Sequence, residues 1–78
     1  MELRYTAIVL KKKEVGETDR LYTLYTEEQG KVRVVAKGVR KPEAKLASQL
    51  ETLTYGLVIV VKGRGMGKIA GAVAEDFF

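Results

Sequence analysis

Lysine and arginine are the residues whose spacing in this sequence points to chemistry. Between Lys31 and Lys45 lie Lys31, Arg33, Lys37, Arg40, Lys41 and Lys45 against the single acid Glu43, a local charge of +5 in a chain whose total is +4. Lys62, Arg64 and Lys68 add +3 around a glycine-rich stretch, so everything else sums to −4. Clustered cations create a field that a polyanion can feel, neutralising phosphates and releasing their counterions. Scattered over a folded surface, the same charges would only keep a small protein in solution. The two readings part on whether folding gathers both segments onto one face.

Most other chemistry is excluded by composition. The 78 residues contain no Cys and no His, which removes disulfides, thiolate and imidazole metal sites, and every Ser-His or Cys-His nucleophile. Carboxylates remain: Glu14, Glu17 and Asp19 cluster in one expected loop and Glu27 with Glu28 in the next, a set that could hold a hard divalent ion for phosphodiester chemistry. Such a site needs acids converging on a concave pocket, whereas a barrel this small has its interior filled by side chains. No catalytic residue, metal or cofactor is therefore expected. The run Gly63-Arg64-Gly65-Met66-Gly67 lacks both the helix that follows a dinucleotide fingerprint and the Gly-Lys-Ser/Thr of a P-loop. It reads as a flexible turn presenting Arg64, and Gly38-Val39-Arg40-Lys41-Pro42 as a second cationic bend.

The elements that must position these side chains are strands. A chain this short makes one domain, residues 1–78, with one small core. Its longest apolar run, Leu57 to Val61, is far too short to cross a bilayer, and Met1 to Leu10 lacks the features of a signal peptide. With no cysteine as well, a soluble cytoplasmic protein is expected. Apolar residues recur at spacing two more often than at three or four. Strands are expected at Tyr5–Lys13, with Ile8 and Leu10 inward, at Asp19–Thr26, from Lys31 to Lys37, at Leu53–Lys62 and at Lys68–Ala74. From Lys31 the alternation is clean, with Val32, Val34 and Ala36 on one side and Lys31, Arg33, Val35 and Lys37 on the other. Pro42 can open a helix, and Leu46, Ala47 and Leu50 follow at helical spacing, which predicts one short helix near 43–49.

The order β-β-β-α-β-β predicts an all-β protein, a five-stranded OB-fold, which is a small, partly open Greek-key barrel. A small SH3-like barrel is the competing arrangement, and it accounts for the strands but not for the helix-spaced segment. In an OB-fold the usual ligand surface is the face of strands two and three, flanked by the loops joining strands one to two and four to five. Arg20, Tyr22, Lys31, Arg33 and Lys37 occupy those strand positions, with Arg64 and Lys68 at the second loop and Arg40 and Lys41 on the bend. Tyr5, Tyr22, Tyr25 and Tyr55 are the rings that could stack on an unpaired base or pack in the barrel. Tyr22, which shares register with Arg20, is the preferred stacking candidate.

Three stretches stand out in combination: Ala7-Ile8-Val9-Leu10 followed by Gly16-Glu17-Thr18-Asp19-Arg20-Leu21, then Leu24-Tyr25-Thr26-Glu27-Glu28-Gln29-Gly30-Lys31-Val32-Arg33, then Val35-Ala36-Lys37-Gly38-Val39-Arg40. Gly63-Arg64-Gly65 and Ile69 to Ala74 continue in order. Together they resemble the N-terminal OB-fold domain of the RecO family of bacterial DNA repair proteins. The resemblance implies a role in recombinational repair: binding single- and double-stranded DNA without sequence preference, annealing complementary strands, and loading the recombinase RecA together with RecR and single-strand-binding protein, none of it chemical catalysis. It also implies a cytoplasmic, nucleoid-associated location. Carried over residue by residue, it makes Arg20, Arg33, Lys37, Arg40, Lys41 and Arg64 the DNA contacts and part of the same barrel the docking surface for RecR. An alternative is that the barrel only docks RecR while DNA is held elsewhere in the complete protein.

The family's helical domain and cysteine-bearing, often zinc-binding module have no counterpart in these 78 residues. Metal binding and most docking of single-strand-binding protein therefore do not carry over, and the chain is expected to be an isolated N-terminal domain or a natural stub. Where the family usually has an aromatic residue and a proline after the short helix, this sequence has Glu51-Thr52-Leu53, so the entry to strand four is expected to pack differently.

Overall fold

The period-two alternation folds as five strands in the computed structural model, which describes residues 1–39 and 49–77. These are β1 (Glu2–Val15), β2 (Asp19–Thr26), β3 (Gly30–Ala36), β4 (Thr54–Val61) and β5 (Gly67–Phe77). They close into a barrel in the order β1-β2-β3-β5-β4, with β4 returning to pair with β1. Closure removes the exposed edges that a five-stranded open sheet would present. Every neighbouring pair is antiparallel except β3 and β5, which run parallel and meet only at Val34–Gly67 and Val35–Lys68. The class and architecture are those expected from the sequence, an all-β OB-fold barrel. The expected helix near 43–49 lies outside the described residues except for Gln49. Among the described residues no helix is long and apolar enough to cross a membrane.

The interior is filled from every strand. Tyr5, Ala7 and Val9 enter from β1, Tyr22 and Leu24 from β2, Val34 and Ala36 from β3, Val58 and Val60 from β4, and Ile69 from β5. Val39 and Leu50, which bracket the undescribed segment, are 2% and 0% exposed, so the chain enters the core on both sides of it. Full burial of a Leu or Val side chain contributes about 1.5–3 kcal/mol, so each of these positions matters in so small a core. The expectation that Ile8 and Leu10 point inward is corrected: Ile8 is half-buried on the outer side and Leu10 is 37% exposed. Ala7-Ile8-Val9-Leu10 is apolar at both parities, so alternation alone could not choose the inner set.

Local chemistry fixes the connections. Gly30 takes φ of +69° at the end of the β2–β3 turn, a conformation that glycine adopts without steric cost. There the Thr26 hydroxyl accepts from the Gln29 amide at 2.8 Å and donates to the Gly30 carbonyl at 2.9 Å. The turn also clasps β1, since the Thr6 amide donates to both oxygens of Glu28 at 2.9 and 3.1 Å and the Glu27 amide donates to the Thr6 carbonyl at 2.9 Å. At the other end of β2, the Asp19 carboxylate accepts from the Gly38 amide at 2.8 Å and from the Thr18 hydroxyl at 3.1 Å, with Lys37 Nζ at 3.6 Å. The Gly38 amide, with help from Thr18 and Lys37, holds the Asp19 carboxyl below its ordinary value despite the opposing cost of partial burial. The entry to β4 is made by Glu51-Thr52-Leu53, with Leu53 at φ +67°, its amide donating to the Val9 carbonyl at 2.7 Å.

Two predictions follow from this packing. At Gly56, where β4 passes between β1 and a bulged stretch of β5, an added Cβ would overlap the Val73 carbonyl oxygen, a backbone atom with little room to yield. Gly56→Ala is expected to cost about 1–3 kcal/mol, read as a drop in melting temperature of roughly 4–8 °C per kcal/mol for a domain this small. For Asp19, a depressed folded value means its stabilisation is present above the unfolded carboxylate value of about 3.9 and lost as pH falls through the lower folded value. Asp19→Asn is expected to melt lower than wild type at neutral pH and to lose less on acidification, as thermal melts between about pH 7 and pH 2 would show.

Candidate nucleic-acid interface

Which cations share a surface is decided by strand phase. On β1, Tyr5, Ala7 and Val9 face inward, and strict alternation would send Lys11 and Lys13 inward after them. A register shift between Val9 and Lys11 intervenes: Val9 pairs with Leu24 but Lys11 pairs with Thr23, leaving Leu10 as the extra residue of a β-bulge. The phase inverts beyond it. Lys11 and Lys13 turn to the outer face, and Lys12 turns toward the barrel mouth, where its ammonium bonds Glu51 at 2.8 Å. That contact, chiefly through its hydrogen bond and then its charge, holds the Glu51 carboxyl below its usual value.

Registers across the sheet then define rows on the outer face. Lys13 pairs with Leu21, Leu21 with Val35 and Val35 with Lys68, so one row runs across β1, β2, β3 and β5. Lys11, Thr23 and Arg33 form the next row, and Ile8, Tyr25 and Lys31 the one after it. Lys11, Lys12, Lys13, Leu21, Thr23 and Arg33 line a groove of about 240 Å³. Among the described residues no salt bridge engages Lys11, Lys13, Lys31, Arg33 or Lys68, and all five are exposed.

The expected site residues divide accordingly. Lys31, Arg33 and Lys68 share the outer face. Arg64 is exposed in the β4–β5 loop, which the parallel β3–β5 register brings to the Arg33 side of β3. Lys37 lies at the far end of that face beside Asp19. Arg20 pairs with Glu14 and Ala36 on the inward parity and is half-buried within electrostatic reach of Glu51, so it belongs to the mouth and not to the Arg33 face. Tyr22 is a correction. Its ring is 0% exposed in the core, because β2 turns the Tyr22, Leu24 and Thr26 parity inward, so it cannot stack on a ligand. Arg40 and Lys41 lie outside the described residues.

Sequence reasoning missed Lys11 and Lys13, and with them Lys12. Their charge was offset in the sequence by Glu14, Glu17 and Asp19 nearby, although three consecutive lysines ending a strand was a signal that could have found them. Of the four rings it considered for stacking it preferred Tyr22 to Tyr25, yet Tyr25 is the one that is 58% exposed and stands on the same face as Arg33. Two of the carboxylates weighed as metal ligands are engaged elsewhere, Asp19 with Gly38 and Glu28 with Thr6. An outer face on which five cations without a salt-bridge partner among the described residues flank the uncharged Leu21, Thr23 and Tyr25 of β2 is suited to a polyanion.

The family described as Recombination protein O N terminal matches residues 1–78. The chain is 39% identical over 92% of its length to the DNA repair protein RecO of Shouchella clausii, and 37% identical over 96% to that of Heliobacterium modesticaldum, covering 28% of each relative. To the DNA repair protein RecO of Syntrophomonas wolfei it is 33% identical over its whole length, covering 31% of that protein. It therefore spans less than a third of the length of these curated relatives. The chain belongs to the RecO N-terminal family.

Proposed function

We propose that this barrel binds DNA through its backbone phosphates, without reading base sequence and without catalysing a chemical step. The observation that carries the reading is the convergence of Lys11, Lys13, Arg33 and Lys68, drawn from β1, β3 and β5, on one outer face with Lys31 and the Arg64 loop beside them. Exposed lysines and arginines on a rigid sheet neutralise phosphates at fixed spacing, and affinity then falls with salt as counterions are retained. In the complete protein this activity would support strand annealing and, with RecR, the loading of RecA.

A second surface supports the docking of RecR. The outer side of β4 and β5 carries Leu57 and Ile59 half-buried, with Val61 and Val73 47% and 58% exposed. Apolar groups at a patch centre favour a protein partner over a polyanion. DNA and RecR would then use different sides of one barrel. Amide chemical-shift mapping separates the readings: DNA is expected to move signals of β2 and β3, and RecR those of β4 and β5. Movement of the β2 and β3 signals by RecR alone would leave the barrel as a protein-docking module.

Anisotropy of labelled oligonucleotides at several salt concentrations tests the DNA reading directly. Log affinity is expected to fall with log salt at a slope reporting roughly three to five phosphates. Arg33→Ala and Lys11→Ala should each weaken binding to all sequences alike and reduce that slope by about one. Arg4→Ala, on the outer side of β1 opposite Ile59, should leave binding unchanged. Absence of binding at low salt, or equal losses for Arg4 and Arg33, would overturn the reading.

A further inference from the structure

The proposed phosphate-binding face has an uncharged floor. Leu21, Thr23 and Tyr25 follow one another at spacing two along the outer side of β2, with Lys11 and Lys13 on the β1 side and Lys31 and Arg33 on the β3 side. Adjacent strands lie about 4.8 Å apart, so the two cationic flanks are separated by roughly 10 Å at the backbone. The carboxylate in line with this row is Asp19, two residues before Leu21 at the start of β2, where the Gly38 amide and Lys37 engage it. Thr23 is 3% exposed, and Leu21 is half-buried, which makes the floor low and smooth until Tyr25, whose ring stands 58% exposed.

Tyr25 differs from the other three tyrosines. Tyr5 and Tyr22 are core residues at 5% and 0% exposure. Tyr55 lies beyond Ile8 in the same row and is half-buried. Burial and then the nearby carboxylates of Glu27, Glu75 and Glu28 push its hydroxyl up from the ordinary value. Those acids would repel a phosphate chain, so the row changes character between Tyr25 and Tyr55. Tyr25 instead has Lys31 directly across the β2–β3 pair and Ile8 across the β1–β2 pair. An exposed ring between a cation and an apolar side chain, at the end of a cation-flanked floor, can hold an unpaired base by its flat face while the cation takes the adjoining phosphate.

We propose that this face accommodates single-stranded nucleic acid running along β2, with Tyr25 stacking on an unpaired base, and that this stacking distinguishes single strands from duplex. The inference rests on the phosphate-binding reading above. In a duplex the base faces are already stacked on one another and out of reach of a side chain on a sheet, so only the flanking cations can engage it. A single strand can turn its bases to the floor and its phosphates to the flanks. Electrostatics then supplies binding to both forms, and the ring adds affinity for one.

The test compares an oligothymidylate of about 15 nucleotides, near the upper end of OB-fold site sizes, with a hairpin duplex carrying the same number of phosphates. Tyr25→Ala is expected to weaken single-strand binding by roughly 5- to 100-fold, with duplex affinity and the salt slopes unchanged, and Tyr25→Phe to retain wild-type affinity. In the wild-type domain the Tyr25 ring proton signals should shift on addition of oligothymidylate and not of duplex, a readout independent of how the variants fold. If Arg33→Ala weakens binding while Tyr25→Ala does not and the ring signals stay in place, the stacking inference fails and the phosphate reading stands. If neither variant changes binding, the phosphate reading fails with it. Equal losses on single strand and duplex for Tyr25→Ala would also overturn the inference.

Discussion

A single extra residue in β1 governs how charge is distributed over this barrel. Side chains of a strand alternate sides without exception, so inserting one residue inverts everything beyond it. The bulge at Leu10 lies between Val9, which is core, and Lys11, which is surface. With it, two lysines join the face of Arg33 and one turns to the mouth to meet Glu51. In continuous pairing the numbers would be reversed, and two ammonium groups would be directed toward a packed interior at a large desolvation cost. The bulge thus protects the core and builds the groove in one step.

Ion pairing then sorts the cations further. Lys12 and Lys37 have carboxylate partners at 2.8 and 3.6 Å, and Arg20 lies within electrostatic reach of Glu51. Exposed pairs of this kind contribute little, commonly 0–1 kcal/mol, so their part in stability is small. Their part in the field is larger, because a compensated cation contributes less potential to an approaching polyanion. The outer face keeps its potential because Lys11, Lys13, Lys31, Arg33 and Lys68 have no such partner among the described residues. Asp19 at one end and the acids near Tyr55 at the other bound the positive region along the strands.

The hairpins hold this surface rigid with few residues. Thr26 caps its own turn, Glu28 clasps the β1 backbone, and Asp19 ties the start of β2 to Gly38 just after β3. The stretch Glu51-Thr52-Leu53 closes the mouth, with the Leu53 amide on the Val9 carbonyl and Glu51 on Lys12. The Lys12–Glu51 ion pair thus ties the entry to β4 to the strand segment that carries the groove lysines.

Much of the fold was legible in the chain, because alternation and turn residues are local properties. Lys31 and Arg33 were placed correctly on an outer face because β3 is apolar at one parity only, apart from Val35. β1 and β2 were harder: Ala7 to Leu10 and Leu21 to Tyr25 carry apolar or aromatic residues at both parities, so local pattern could not say whether Tyr22 or Tyr25 would be buried. The lysines at 11 and 13 were hidden by summing charge along the chain, which cancels them against Glu14, Glu17 and Asp19 without regard to which side of a strand each occupies. By itself, then, the sequence determined the strands, their order, the family and the basic side of β3. Tertiary structure decided the phase of β1, the inner face of β2 and the parallel contact that brings Lys68 beside Val35, since each depends on which distant backbone a strand pairs with, and no residue carries that information alone.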